Sequence, residues 1–453
     1  MRLRRAFLAL LVVLSMPAAA QEGTGGKAPD PYENLQDWLT PRSAARWIPT
    51  ASVGFDALLH TYPLAMTDTT ETISEAFAAV GLEGRSGRVG PHRWRLQAGF
   101  SFGNELFREN LKAQWKYLDE RRVTRWRLDG DLAGRQYQED TGYSLASNNL
   151  EGRLTARAVP WVTQDHLLEL RLDTGLMEYS NPSALEVRHR DAGAGVQYGS
   201  RLLAATPWRV AYRFAGRAYP DSAVIDRHTH SLEGDLEWRD PAGLTLHLYH
   251  ATRRRLIRDE GLKPSAWMHW SDVSAQMPAG VGDVYLDVQS EIWRYDEESA
   301  VYLDSWQLDG VLGYRWGDLM RAGWRLGLAV ENLAAGDSPE TYTQLGLRGG
   351  VESYGTDLNG SLQVEYGRRH YHQTGGWDLL NDFSNDGSTG DLEFTYSDFH
   401  YFEIWLMGGW TISKNLRLDL MASYEPESHT EQDDDVSLGY ASVRLVWHPR
   451  SWP

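Results

Sequence analysis

Residues Gly282–Tyr295 read GDVYLDVQSEIWRY, and every second side chain belongs to one of two sets. Val284, Leu286, Val288, Ser290 and Ile292 fall on one side, and Tyr285, Asp287, Gln289, Glu291 and Trp293 on the other. A period of two is the signature of a β-strand. A soluble sheet would turn the aliphatic row to a core and the charged row to water. A sheet in a membrane would do the reverse, and the rest of the chain decides between them.

The alternation recurs from about residue 92 to residue 447. Trp94, Leu96, Ala98, Phe100 and Phe102 alternate with Arg95, Gln97 and Ser101, and Leu168, Leu170, Leu172 and Leu176 with Glu169, Arg171 and Asp173. Trp208, Val210, Tyr212 and Phe214 oppose Arg209, Arg213 and Arg217, while Leu232, Leu236 and Trp238 oppose Glu233, Asp235 and Glu237. Trp306, Leu308, Leu312, Tyr314 and Trp316 stand against Asp309 and Arg315, Trp324, Leu326, Leu328 and Val330 against Arg325 and Glu331, and Leu416, Leu418 and Leu420 against Arg417 and Asp419. None of these stretches repeats at three and four, as an amphipathic helix would. The segments run to roughly 10–14 residues, beyond the usual soluble strand and long enough to cross a bilayer on a tilt.

Short turns such as Asp240–Gly243, Pro278–Gly282 and Ser413–Asn415 alternate with longer polar loops at Arg253–Pro264, Gln373–Gly390 and Glu425–Val436. That alternation is expected when strand pairs cross a membrane with turns on one rim and loops on the other. Counting back from the last strand, Leu438–Trp447, gives about 20 strands, within a range of roughly 16 to 20 and best at 18 to 20. The count takes Asp391–Ile412 as one overlong strand. Ile73–Leu82 reads equally well as strand or helix.

The chain has 453 residues and no cysteine, so it forms no disulfide and carries no thiolate metal site. Arg2, Arg4 and Arg5 precede an apolar run from Ala6 to Val13 that ends in Ala18-Ala19-Ala20, the organisation of a secretory signal peptide. The alternative, an N-terminal membrane anchor, would require a longer apolar run. Removing the three arginines leaves 42 basic against 62 acidic residues, a net charge of −20, which disfavours nucleic acid as a partner. The expected organisation is signal peptide 1–20, a Gly/Pro-rich flexible periplasmic arm 21–46, a barrel 47–447 and a tail 448–453.

On these grounds the chain resembles the transmembrane β-barrel proteins of Gram-negative outer membranes. Gly439, Ala441, Val443, Leu445 and Trp447 are similar to that family's closing strand, although residues 448–453 follow. The resemblance implies an all-β fold, a closed antiparallel barrel in the outer membrane, insertion by the barrel-assembly machinery, and either a homotrimer or a complex with an export system. The alternative is a secreted sandwich, propeller or solenoid; the strand lengths and the lack of a fixed 40-residue repeat count against it. In the barrel reading Trp94, Trp126, Trp208, Trp316, Trp324, Trp410 and Trp447 form interfacial girdles against outer-membrane lipids. The charged rows then line a wet lumen: Arg209, Arg213, Arg217, Glu233, Asp235, Glu237, Asp283, Asp287, Glu291, Asp309, Arg315, Arg325, Glu331, Arg417 and Asp419.

The function expected is porin-like passage or export of small polar solutes, with no enzyme activity, no cofactor and no metal. Trp377, Leu380 and Phe383 of the loop 373–390 are the candidates to fold inward as a constriction. No plug domain precedes the strands, unlike the receptors driven by TonB. One alternative is a structural sleeve in an export or assembly complex, its lumen filled by a partner or by a salt-bridged network. Another is a lipid hydrolase, because His269 and Ser271 share a strand face, faintly similar to the His-x-Ser of outer-membrane phospholipase and deacylase barrels. His228 with His230, and His370 with His372, are the spacings that would suit a metal.

Overall fold

The computed structural model describes residues 45–447 apart from 65–66, 88–89, 104–105, 121–122, 138–147, 164, 181–186, 201–205, 222–224, 260–263, 298–301, 337–339, 356, 373–374, 378–393, 397 and 430–435. The strands are β1 (Arg46–Leu64), β2 (Thr67–Arg85), β3 (His92–Gly103), β4 (Leu106–Leu118), β5 (Thr124–Tyr137), β6 (Asn149–Val162), β7 (His166–Tyr179), β8 (His189–Ser200), β9 (Trp208–Ala218), β10 (Arg227–Arg239) and β11 (Thr245–Ile257). They continue as β12 (Ala266–Ala279), β13 (Gly282–Tyr295), β14 (Ser305–Asp318), β15 (Ala322–Ala334), β16 (Tyr342–Tyr354), β17 (Leu358–Tyr371), β18 (Gly375–Trp377), β19 (Phe394–Tyr396), β20 (Phe399–Ser413), β21 (Leu416–His429) and β22 (Val436–Trp447). All but β18 and β19 join one 20-stranded antiparallel sheet in which each strand pairs with its neighbour in sequence, β20 following β17. β22 pairs with β1, so the sheet is a closed tube without an edge. Closure is what lets a sheet enter hydrocarbon, because every backbone donor and acceptor then has a partner.

Burial distinguishes the two faces of the wall. On the concave side of a tube side chains converge and screen one another; on the convex side they diverge. The buried residues, among them Tyr285, Val311, Ala329, Glu233, Glu365 and Tyr401, belong to the charged set of alternating positions. The strongly exposed Leu172, Leu328 and Leu345 belong to the aliphatic set. The charged rows therefore face the lumen and the aliphatic rows face outward. For the opening stretch, Leu286 points away from the tube while Tyr285, 5% exposed, lies against the inner wall.

Glycine makes room for that tyrosine. Gly313 and Gly327 follow Tyr285 across the register of β13–β15, and a Cβ on Gly313 would come within 2.6 Å of the ring and of the Leu326 carbonyl. The ring lies flat across the glycine track, and the Arg315 guanidinium sits 5.4 Å from its centroid. Phe77 is placed the same way over Gly54, with Arg444 at 5.1 Å from its centroid.

The rim where β1 begins carries short turns. The β12–β13 turn is Gly280-Val281, with Gly280 at φ 63°, a left-handed conformation that glycine adopts without a Cβ clash. The opposite rim carries most of the longer connections, although its β1–β2 and β3–β4 links are two residues each. At that rim Asp221 accepts hydrogen bonds from Arg188 and Arg188 also approaches Glu178 at 3.9 Å, tying the approach to β8 to the β9–β10 connection. The Arg188 hydrogen bond holds the Asp221 carboxyl below its usual range. A depressed folded-state pKa contributes stability above the ordinary carboxylate value and loses it as pH falls. Protection of the amides at 187–189 and 219–221, taken relative to the intrinsic exchange rate at each pH, should therefore fall once the pH drops below the ordinary carboxylate range. An unchanged response in Asp221→Asn would overturn that assignment.

Ile73–Leu82, open between strand and helix in the sequence, is strand, within β2. The structure departs from the sequence reading elsewhere. Asp391–Ile412 is not one strand: β19 pairs with β18 as a separate ribbon, and β20 starts at Phe399. Just before it, the Asp398 carboxylate accepts bonds from the Tyr371 backbone N–H, Arg368 and His370, capping the β17–β20 pair. The loops after β11 and β21 begin later than expected, because the strands run on to Ile257 and His429. Residues 1–44 and 448–453, and with them the signal peptide, most of the arm and the tail, lie outside the described residues; Arg46, expected to end the arm, already belongs to β1.

Candidate functional site

The inner wall is a lattice of charges paired between neighbouring strands. On β9 and β10, Arg209 donates to Asp235 at 2.7 Å and Arg213 lies 3.6 Å from Glu233. Arg217 donates to Asp191 of β8 through Nε at 2.7 Å and Nη2 at 3.0 Å. The basic ladder and the acidic ladder read from the sequence are thus two halves of one arrangement. His247 adds a contact to Asp235 at 3.2 Å. Glu237 pairs with Arg239 on its own strand near the short-turn rim.

The remaining inward residues are held in the same local manner. Asp283 accepts from Gln276 at 2.9 Å, and Glu291 accepts from the Trp293 indole. Asp287 and Asp309 project from the inner rows of β13 and β14. Arg325 reaches Glu352 at 3.2 Å and Gln363 at 2.7 Å. Glu331 accepts from Gln307 at 3.2 Å and from the Tyr342 hydroxyl, and Arg417 donates to Asp419 at 2.6 Å and to Asn359 at 3.2 Å. Between β6 and β9 small residues, Gly195 and Ala211, open a recess of about 250 Å³ in the wall, framed by Arg157, Arg171, Arg209 and Arg213 with Glu169 and Gln197.

A buried inner cluster lies on β16, β17 and β20, its members brought together by strand register. Glu365 is 2% exposed, accepts from Tyr401 Oη at 2.6 Å and is paired with Arg348. Tyr401 lies over Gly346 and Gly367, where any Cβ would collide with its hydroxyl. Nearby Arg369 sits 4.2 Å from the Tyr342 ring centroid and 5.1 Å from that of Phe399. Glycines on the inner row interrupt the charged rhythm of β16 and β17, so the alternation alone does not disclose these residues.

Trp94, Trp126, Trp208, Trp316, Trp324, Trp410 and Trp447 all stand on the outward side of a single rim, the one with the short turns. Leu380 and Phe383 lie outside the described residues, and of Trp377 only the backbone, in β18, is described. His228 and His230 face outward beside Phe214 and Tyr212, and His370 and His372 lie at the loop-bearing rim. Among the described residues no group of three metal-ligating side chains comes together. His269 and Ser271 share the outward face of β12, but the imidazole bonded to Ser271 is that of His250, on β11.

Comparison with known proteins places the fold. No protein-family model matches the sequence, and neither does any curated protein. Among solved structures, the ferric enterobactin receptor of Pseudomonas aeruginosa in complex with enterobactin is similar, with TM-score 0.52 and 11% identity over 90% of this chain and 82% of that one. The siderophore receptor PirA of the same organism gives TM-score 0.48 and 12% identity over 90% and 82%. The outer membrane protein opdK, also from Pseudomonas aeruginosa, gives 0.40 and 12% over 89% and 99%. The chain has the fold of the Gram-negative outer-membrane β-barrel proteins, a closed barrel whose outward belt is aliphatic.

Proposed function

We propose that this barrel is a passive outer-membrane channel for small polar solutes, with a mixed-charge aqueous lumen. One observation carries the reading: the ion pairs of the inner wall run along it, between the same or nearby strands, and among the described residues none spans the tube. Twenty strands spaced ~4.8 Å apart and tilted ~40° give a round tube a backbone diameter of roughly 40 Å, far beyond the reach of two facing arginines. Paired charges of both signs create strong transverse fields close to the wall while leaving the axis wet, an arrangement that sorts solutes by dipole and charge distribution.

Purified protein in a planar lipid bilayer should give large, steady, ohmic current steps. Arg209→Ala with Arg213→Ala should shift the reversal potential in a salt gradient toward cations, because Asp235 and Glu233 would keep their charge without the arginines that balance it. Bilayers that stay silent across repeated insertions, with insertion verified by protease protection, would overturn the channel in favour of a sleeve whose lumen a partner fills.

A further inference from the structure

The outward face of β11–β14 interrupts its aliphatic belt with hydrogen-bonded polar side chains. Ser271 Oγ lies 2.9 Å from His250 Nδ1, His250 Nε2 lies 3.0 Å from Thr252 Oγ1, and Thr252 Oγ1 lies 3.1 Å from His269 Nδ1. With the His250 proton on Nε2, each link has one donor: Ser271 to His250, His250 to Thr252, and Thr252 to His269. Directly across the register from Ser271 is Ser290, whose oxygen accepts the Trp306 Nε1–H at 3.0 Å, which leaves its own proton free to donate. Polar groups facing hydrocarbon are costly, and a row of them marks function more often than packing.

A recess adjoins this row. Gly234 of β10 stands in register between Val210 and His250, and a Cβ there would meet nothing within 4 Å. Trp208, Val210, Leu236, Leu248 and Val273 surround it, with His250 and Ser271 at one side, in a shallow apolar hollow of about 520 Å³. It opens on the lipid side of the wall, so its occupant is an acyl chain of the surrounding bilayer.

The geometry points to a serine esterase site on the outer wall, with Ser271 as nucleophile and His250 as base, acting on the acyl ester of a bilayer lipid whose chain lies over Gly234. Ser271 Oγ attacks the ester carbonyl carbon while its proton passes to His250 Nδ1. The carbonyl oxygen gains negative charge, and the Ser290 hydroxyl is the donor placed to receive it. The bond to the alcohol breaks and the alcohol leaves with the proton from His250. Water, deprotonated by His250, then attacks the acyl-serine, and the fatty acid departs as Ser271 regains its proton. Thr252, with His269 behind it, is a positioning residue that keeps the His250 proton on Nε2. This activity uses only the exterior of the barrel and is independent of whether the lumen conducts.

The test uses the full chain in two sets of proteoliposomes, one of phosphatidylethanolamine with phosphatidylglycerol and one containing lipopolysaccharide, with released fatty acids identified by mass spectrometry. Release from the first set assigns a glycerolipid ester; release of hydroxylated or secondary acyl chains from the second alone assigns a lipopolysaccharide ester. Ser271→Ala should reduce release by about 10³-fold or more, with bilayer conductance unchanged. Thr252→Val should shift the pH profile of the rate, a change that a packing defect alone would not produce. A fluorophosphonate probe should label Ser271 in the wild type and lose that label in His250→Gln, a readout that does not depend on the alanine variant folding. No release from either lipid set, or equal release by Ser271→Ala, would overturn the proposal.

Discussion

Arg348→Met should destabilise the barrel by roughly 3–5 kcal/mol, the cost of leaving a buried carboxylate without its cation. Glu365 is 2% exposed and its two oxygens are committed to Arg348 and Tyr401. Glu403 stands next to it in register on the same inner face, so losing Arg348 leaves two carboxylates facing each other. Adding Glu365→Gln to the methionine variant should recover much of the loss, because an amide still accepts from Tyr401 and carries no charge. Urea titration in detergent, followed by the gel shift between folded and unfolded forms, measures both. An Arg348→Met midpoint within about 1 kcal/mol of wild type would mean that water, rather than arginine, satisfies Glu365.

The second large effect separates the two faces of the wall. Leu328 lies midway along β15 on the outward row and is 65% exposed, and Gln289 lies midway along β13 on the lumen row. Leu328→Arg should cost about 2–4 kcal/mol in a bilayer, the price of an arginine at mid-depth on a lipid-facing wall. Gln289→Arg should cost less than ~1 kcal/mol, since its guanidinium enters water between Asp287 and Glu291. If both variants lose equal stability, the aliphatic rows do not face lipid.

Most of the tube was legible because a strand wall has only two faces and the chain marks each with a different chemistry. Where the marking lapsed, the reading lapsed too. Arg253-Arg254-Arg255 reads as loop by charge, yet β11 continues through it. Arg254 stacks outward on Trp267 and pairs with Asp296, and Arg255 packs inward on Trp293. Phe394 and Tyr396 share their parity with β20, so alternation alone could not show that they pair with β18. The lattice of lumen charges could be listed by parity, but not the pairing of Arg209 with Asp235 or Arg217 with Asp191, because register between strands is set by turns and packing. The bond between His250 and Ser271 was hidden for the same reason, its partners lying 21 residues apart.

The tube has one seam, where Asp56 accepts the hydroxyl proton of Ser442 across 386 residues of chain. Each hairpin closes a short loop, but joining the two ends fixes almost the whole polypeptide at once. By loop-closure entropy that junction costs about 3 kcal/mol more than a 15-residue hairpin. Until β22 reaches β1 the nascent sheet presents two bare ladders of peptide groups, each a template for a foreign strand. Assembly is therefore most vulnerable at its last step, and mutations in β1 or β22 should reduce yield of the inserted protein more than their effect on the finished tube would predict.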